Sequence, residues 1–243
     1  MKNYIVAFIF GLALVLSAFF LSDAIKNRNS SADTISVTGL GSTDFTSDLI
    51  VWNSTFSKKN IELKSAYAAL ERDREAIRSY LISKGVKENE IIFSSVSISK
   101  DFENSYDQNY NVRSQIFTGY TLTQSIQVES KEVEKIESVS REVTELINLG
   151  VELYSESPQY YYTKLAELKL KMIAQATQDA KLRAEQIADN AGAKLGKLKK
   201  SDLGVFQIIA QNSSEEYSWG GSFNTYSKKK TATITIKLIY TID

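Results

Sequence analysis

The sequence predicts an α+β fold: a sheet of mixed strands with two or three long amphipathic helices packed on it, after an N-terminal hydrophobic helix. Three observations carry the prediction. Tyr4 to Leu21 holds no charged residue. Short β-branched runs bounded by Gly, Asn and Ser alternate with longer segments of helical period. That strand-then-helix alternation recurs along the rest of the chain, and helices on one face of a sheet bury such stripes most economically.

Composition bounds the chemistry. The 243 residues are 43% hydrophobic and 24% charged, enough for a sizeable core. Lys plus Arg equals Asp plus Glu at 29 each, so no net field favours nucleic acid, and no nucleic-acid partner is expected. The chain has 0 Cys and 0 His, which excludes disulfides, thiolate nucleophiles, Cys-zinc sites and imidazole bases. No catalytic residue, metal site or cofactor is expected.

The first segment concerns targeting. As a helix rising about 1.5 Å per residue, residues 4–21 span roughly 27 Å, close to a bilayer core. Residues 1–25 read as an uncleaved signal anchor or a cleaved signal peptide, with Ser22-Asp23-Ala24 a poor cleavage site. Lys2 lies on one side and Lys26 and Arg28 on the other, so loop charge alone does not orient it. Both readings send the bulk across the membrane, and an extracytoplasmic location is expected. Residues 26–33 form a polar tether, and residues 34–243 read as one domain.

The elements then follow in order. Ile35 to Leu40 alternates apolar and polar, and Gly39 and Gly41 predict a turn at its end. A second strand falls at Leu49–Ser57. Asn60 is placed to cap a helix with apolar Leu63, Tyr67, Leu70, Ile77 and Leu81, a wet side at Glu71 to Glu75, and a stop at Gly85. Ile91–Ile98 is a strand, Asp101–Ser114 a polar stretch, and Ile116–Val128 a long β-branched strand. Ser130 caps a second helix with its stripe at Val133, Ile136, Val139, Val143 and Ile147, ending near Gly150. Val151–Tyr154 and Gln159–Tyr162, after the single proline Pro158, are short strands. A long helix from Lys164 to Ala191 precedes strands at Val205–Ala210 and Thr231–Tyr240, with a loop at Gln211–Ser227 between them.

Three places in this pattern carry a resemblance. Ile35-Ser36-Val37-Thr38-Gly39-Leu40-Gly41 is similar to an opening VxGxG strand, with Ser47-Asp48 where the pattern has Pro-Asp. Gly85, then Ile91 to Ser95, then Gly119-Tyr120 matches a helix, glycine and strand segment with a GY lead-in. Asp179-Ala180-Lys181-Leu182-Arg183-Ala184-Glu185-Gln186-Ile187-Ala188, continuing to Gly192-Ala193-Lys194-Leu195-Gly196, resembles dAxxkAexlAxxxGxkLGxv almost position for position. Together they resemble the SIMPL domain family, bacterial periplasmic and membrane-anchored proteins of unknown function, from about residue 34 onward. The resemblance implies links to envelope and oxidative-stress tolerance and ring-like oligomers in some members. A homo-oligomer anchored in the inner membrane is the expectation that follows.

Physics assigns these motif residues packing work. Ala180, Ala184, Ala188 and Ala191 make a small-residue face that lets a helix approach a sheet closely. Asp179 and Arg183 stand at i, i+4 in the favourable order. Gly192 suits a left-handed C-cap and Gly196 a tight lead-in to the next strand.

Other chemistry finds weaker support. Ser-x-x-Lys occurs at Ser97–Lys100 and Ser227–Lys230, but at strand ends, where i and i+3 face opposite ways. Glu215 and Glu216 lie beside Tyr217 and Trp219 without a fixed carboxylate separation. Asp101, Glu103 and Asp107 lack the glycine and final Glu of a calcium loop. Lys197, Lys199, Lys200 and Lys228 to Lys230 offer a basic patch or solvated strand ends. Tyr110, Tyr217, Trp219 and Tyr226 in loops, with Tyr106 and the Tyr160–Tyr162 triplet, suit protein contacts or stacking on sugars. The leading expectation is therefore a non-enzymatic envelope protein acting by self-assembly or partner binding, and the second a cell-wall or sugar binding module.

Overall fold

Helices and strands alternate as expected, in an α+β arrangement of eleven strands and four helices among the described residues. The computed structural model describes residues 11–22, 33–106, 112–216 and 218–242. A first helix, α1, covers residues 11–22. Residues 4–10 of the expected hydrophobic helix lie outside the described residues, and no described helix is long and apolar enough to cross a membrane.

The chain divides into two compact units, each assembled from separate stretches of sequence. The first takes Met1–Thr43, Leu168–Gln207 and Thr233–Asp243; the second takes Asp44–Glu167 and Ile208–Ala232.

In the first unit, strand β1 (Thr34–Thr46) and strand β8 (Leu195–Leu203) both pair with β11 (Lys229–Ile242), and the main helix is α4 (Leu165–Asn190). β1 does not turn at Gly39 and Gly41 but runs straight through them, burying Ile35, Val37, Gly39 and Gly41 on one side and exposing Ser36, Thr38, Leu40 and Ser42 on the other. β8 is a strand the sequence pattern does not reveal, because Lys197 to Leu203 is exposed throughout and shows no alternation.

The second unit centres on β2 (Leu49–Asn60) and β5 (Val112–Ser130), paired antiparallel from Ile50 opposite Ser130 to Asn60 opposite Tyr120. β3 (Ile91–Phe93) and β4 (Ser97–Tyr106) pair with β5, and β6 (Leu153–Ser155) and β7 (Gln159–Tyr161) with β2. β9 (Gln207–Ala210) pairs with β10 (Ser222–Phe223) and with β11. Helices α2 (Leu63–Ser83) and α3 (Val133–Glu142) cover the β2–β5 face, burying Trp52, Phe56, Leu70, Ile77, Leu81, Leu122, Ile126 and Ile136.

Several expectations are corrected here. The polar stretch after Asp101 is the end of β4 and start of β5, a hairpin whose outer part, among the described residues, pairs with no third strand and leaves most of its side chains exposed. Asn60 ends β2; its Oδ1 accepts the Glu62 N–H at 3.0 Å, while Glu62 itself occupies the N-cap of α2. Ser130 likewise accepts the Glu132 N–H at 3.0 Å, two residues before the helix N-cap, which is Glu132 itself. Tyr67 and Leu63 are exposed and Ala66 is buried instead. Asp73, expected on the wet side of α2, is buried because it sits three residues after Leu70 and four before Ile77; Lys58 pairs with it at 2.9 Å. Past Glu142 the helix tightens to a 3₁₀ turn over Val143–Leu149, and three-residue spacing then buries Val143 and Leu146 and leaves Ile147 exposed.

Candidate functional site

The opening strand and the alanine helix prove to be two halves of one contact. Along α4 the buried stripe runs Leu168, Met172, Ala176, Ala180, Ala184, Ala188; Ala191 lies beyond the helix end and is exposed. β1 crosses this stripe so closely that a Cβ on Gly39 would stand 2.1 Å from the Ala176 carbonyl oxygen and 2.5 Å from the Ala180 nitrogen. A Cβ on Gly41 would stand 2.4 Å from the Met172 carbonyl oxygen. Only glycine on the strand and small residues on the helix permit that approach.

Asp179 fastens the contact. Its Oδ2 accepts the Leu40 backbone N–H at 2.9 Å and the Arg183 Nε–H at 2.9 Å. The Leu40 amide, and then Arg183, hold the Asp179 carboxyl below the usual carboxylate range. The i, i+4 pair with Arg183 is as expected; the strand amide is not visible in sequence. Gly192, at φ 73°, closes α4, with the Ala193 N–H donating to the Ala188 carbonyl at 2.9 Å. Leu195 and Gly196 do not lead into a later strand but already belong to β8.

In the second unit Asp48 clamps the stretch before α4: Oδ1 accepts the Thr163 N–H and Oδ2 the Thr163 hydroxyl, each at 2.7 Å. Gly85 has φ 83° at the end of α2, and Gly119 has φ 136° with its would-be Cβ 2.7 Å from the Asn60 carbonyl oxygen. Tyr120 follows, edge-on to Phe117 at 5.1 Å.

The basic run 228–230 is not a patch. Lys228 Nζ donates to Glu137 at 2.7 Å and to Glu134 at 3.2 Å on α3. Lys228 holds the Glu137 carboxyl low, and Glu137 in turn raises Lys228. Lys230 is only 1% exposed; its Nζ donates to the Tyr160 carbonyl and lies 5.7 Å from the centre of the Phe223 ring. Burial pushes its ammonium down to about 8. Sequence reasoning placed this lysine in solvent, and alternation along β11 was the available signal, since Lys230, Ala232, Ile234 and Ile236 are all buried.

The remaining candidates separate. Trp219 is 100% exposed and Tyr226 70% exposed, while Tyr110, Tyr217 and Asp107 lie outside the described residues. Tyr106 belongs to β4 rather than a loop, Tyr160 is buried, and Tyr162 packs on Phe45 at 4.8 Å. Glu215 is spent on its own loop, accepting the Asn224 amide at 2.5 Å and the Ala210 N–H at 3.2 Å. Asp101 is held low by the Thr121 hydroxyl and by Lys59. Among the described residues no group of acidic side chains is arranged to hold a metal.

The glycine strand, the GY bend and the alanine helix thus occur in one order over most of the chain, and residues 35–237 match the family model described as SIMPL, protein of unknown function (DUF541). The chain belongs to the SIMPL family. No curated protein matches the sequence. In this SIMPL chain the motif residues that the structure describes serve backbone approach, capping and clamping.

Proposed function

We propose that this SIMPL protein is a non-enzymatic component of the bacterial envelope, held at the membrane by its N-terminal segment, that acts by assembling with itself or with a partner. The observation that supports it best is the set of large apolar side chains turned to solvent: Ile98, Phe102 and Ile116 on the β4–β5 hairpin, and Leu40, Leu182 and Ile187 in the first unit. Large apolar side chains left in solvent are available to a second copy or to a partner. A role in envelope or oxidative-stress tolerance belongs to the same proposal and rests on family resemblance.

The test is the mass of the full chain in detergent, by light scattering with the detergent subtracted. A defined oligomer is the expected result; a monomer across the accessible concentration range overturns self-assembly, and turnover of any substrate overturns the non-enzymatic reading.

A second reading, a cell-wall or sugar binding module, is favoured by the complete exposure of Trp219. It requires retention on peptidoglycan that drops on Trp219→Ala without loss of folding.

A further inference from the structure

Sheet edges differ in how they are protected. A free edge strand is a template for another strand, and proteins usually blunt it with charge, proline or a bulge. Among the described residues, β4 pairs only with β5 and β8 only with β11, and both edges are charged: Lys100, Asp101 and Glu103 on β4; Lys197, Lys199, Lys200 and Asp202 on β8. β1 also pairs on one side only, with β11. Yet Thr34 to Thr43, TISVTGLGST, contains no charge and no proline.

The free side of β1 can be identified. Asp33 directs its carbonyl to the Ile242 N–H on β11, and Leu40 directs its N–H the other way, to Asp179. Since N–H and C=O directions alternate along a strand, Ser36 and Thr38 share the outward direction of Leu40. Beside them a groove of about 510 Å³ runs between Ser36, Val37 and Thr38 and the α4 residues Leu182, Arg183 and Ile187. The one charge in that wall, Arg183, is already bound to Asp179. An occupant should therefore be extended, neutral and β-branched, which describes β1 itself.

We propose that the outer edge of β1 docks the β1 edge of a second copy, antiparallel about a two-fold axis, a proposal that rests on the self-assembly reading above. Two-fold antiparallel pairing keeps the same face of both sheets on one side, so α4 of each copy flanks the strand of the other. With the register centred on Val37, Ser36 of one copy stands opposite Thr38 of the other, and their outward N–H and C=O groups exchange hydrogen bonds. On β4 and β8 the edge would instead bring charged side chains, Lys100, Asp101 and Glu103 or Lys197, Lys199, Lys200 and Asp202, into the seam.

Three variants of the full chain test it, by mass in detergent and by thermal melting. Thr38→Pro removes an N–H that the β1–β11 ladder does not use, and is expected to lower the mass at least twofold with the fold kept. The pair Ser36→Lys with Thr38→Lys sets like charges opposite and is expected to do the same; Ser36→Glu with Thr38→Lys sets opposite charges and restores the wild-type mass. Both side chains lie on the exposed face of β1, so these variants report even where proline does not fold. An oligomeric wild type whose mass is unmoved by the Lys-Lys pair overturns the β1 edge and leaves self-assembly standing. A monomeric wild type overturns both.

Discussion

In the unit built on β1 and α4, helix and strand meet at Gly39, Gly41, Ala176 and Ala180, whereas in the unit built on β2 and β5 they are separated by Trp52, Phe56, Leu70, Ile77 and Leu122. Both solutions bury apolar surface, but they fail differently. A core of large side chains loses stability when volume is removed, through lost burial and the cavity left behind. A contact made backbone to backbone loses stability when even one methyl group is added, because neither main chain can yield without its neighbours. Two of the three resemblance motifs, the glycine strand and the alanine helix, meet in the second kind of contact.

The sharpest way to break the comparison is to change volume in each unit. Phe56→Ala, in the large-residue core, is expected to cost about 4 kcal/mol in urea denaturation. Gly39→Ala adds a single methyl and is expected to cost about 3 kcal/mol, the upper part of the range for overpacking, because the new Cβ meets main-chain atoms. A Gly39→Ala protein as stable as wild type would mean that β1 does not lie on α4 as described.

A smaller effect separates Lys230 from the charged surface. Its folded value of about 8 lies below the ordinary 10.5, so between these values the unfolded chain holds the proton more tightly. The cost of burying the ammonium is therefore present in full below about pH 8 and is relieved as pH rises toward 10.5. Stability should climb by on the order of 2 kcal/mol over that window relative to Lys230→Met, in which the rise disappears. Denaturant midpoints of the two proteins at pH 7 and pH 10 check it; parallel curves would place Lys230 in water.

The smallest expected change is at Asp48. Its carboxylate binds both the amide and the hydroxyl of Thr163, and Asp48→Ala should cost about 1 to 2 kcal/mol and raise the protease sensitivity of the segment before α4. Asp48→Asn, keeping one acceptor, should recover part of the loss. If Asp48→Ala leaves the melting point in place, the Asp48–Thr163 clamp carries no structural weight.

Much of the fold was legible where a segment has one wet and one dry face. The stripe along α4, the alternation of β11 and the ends of α2 at Gly85 and α4 at Gly192 follow from local period and from glycine's access to positive φ. β8 and the outer part of β4 were not legible, because a strand exposed on both faces has no period to read. The purpose of Gly39 and Gly41 is not legible for a related reason: a glycine that admits a neighbouring backbone and a glycine that makes a turn look the same in one dimension.

What the sequence determined by itself is therefore the local part: which segments are helices and strands, which of their faces are apolar, and membership of the SIMPL family through residues 35–237. What only the tertiary structure decided is partnership. Leu40 finds the carboxylate of Asp179 139 residues away, Lys230 finds the Tyr160 carbonyl 70 residues away, and each unit is gathered from separate stretches of chain. Local periodicity reports only on neighbours within a turn or two, whereas burial of a lysine or the need for a glycine depends on which distant backbone arrives.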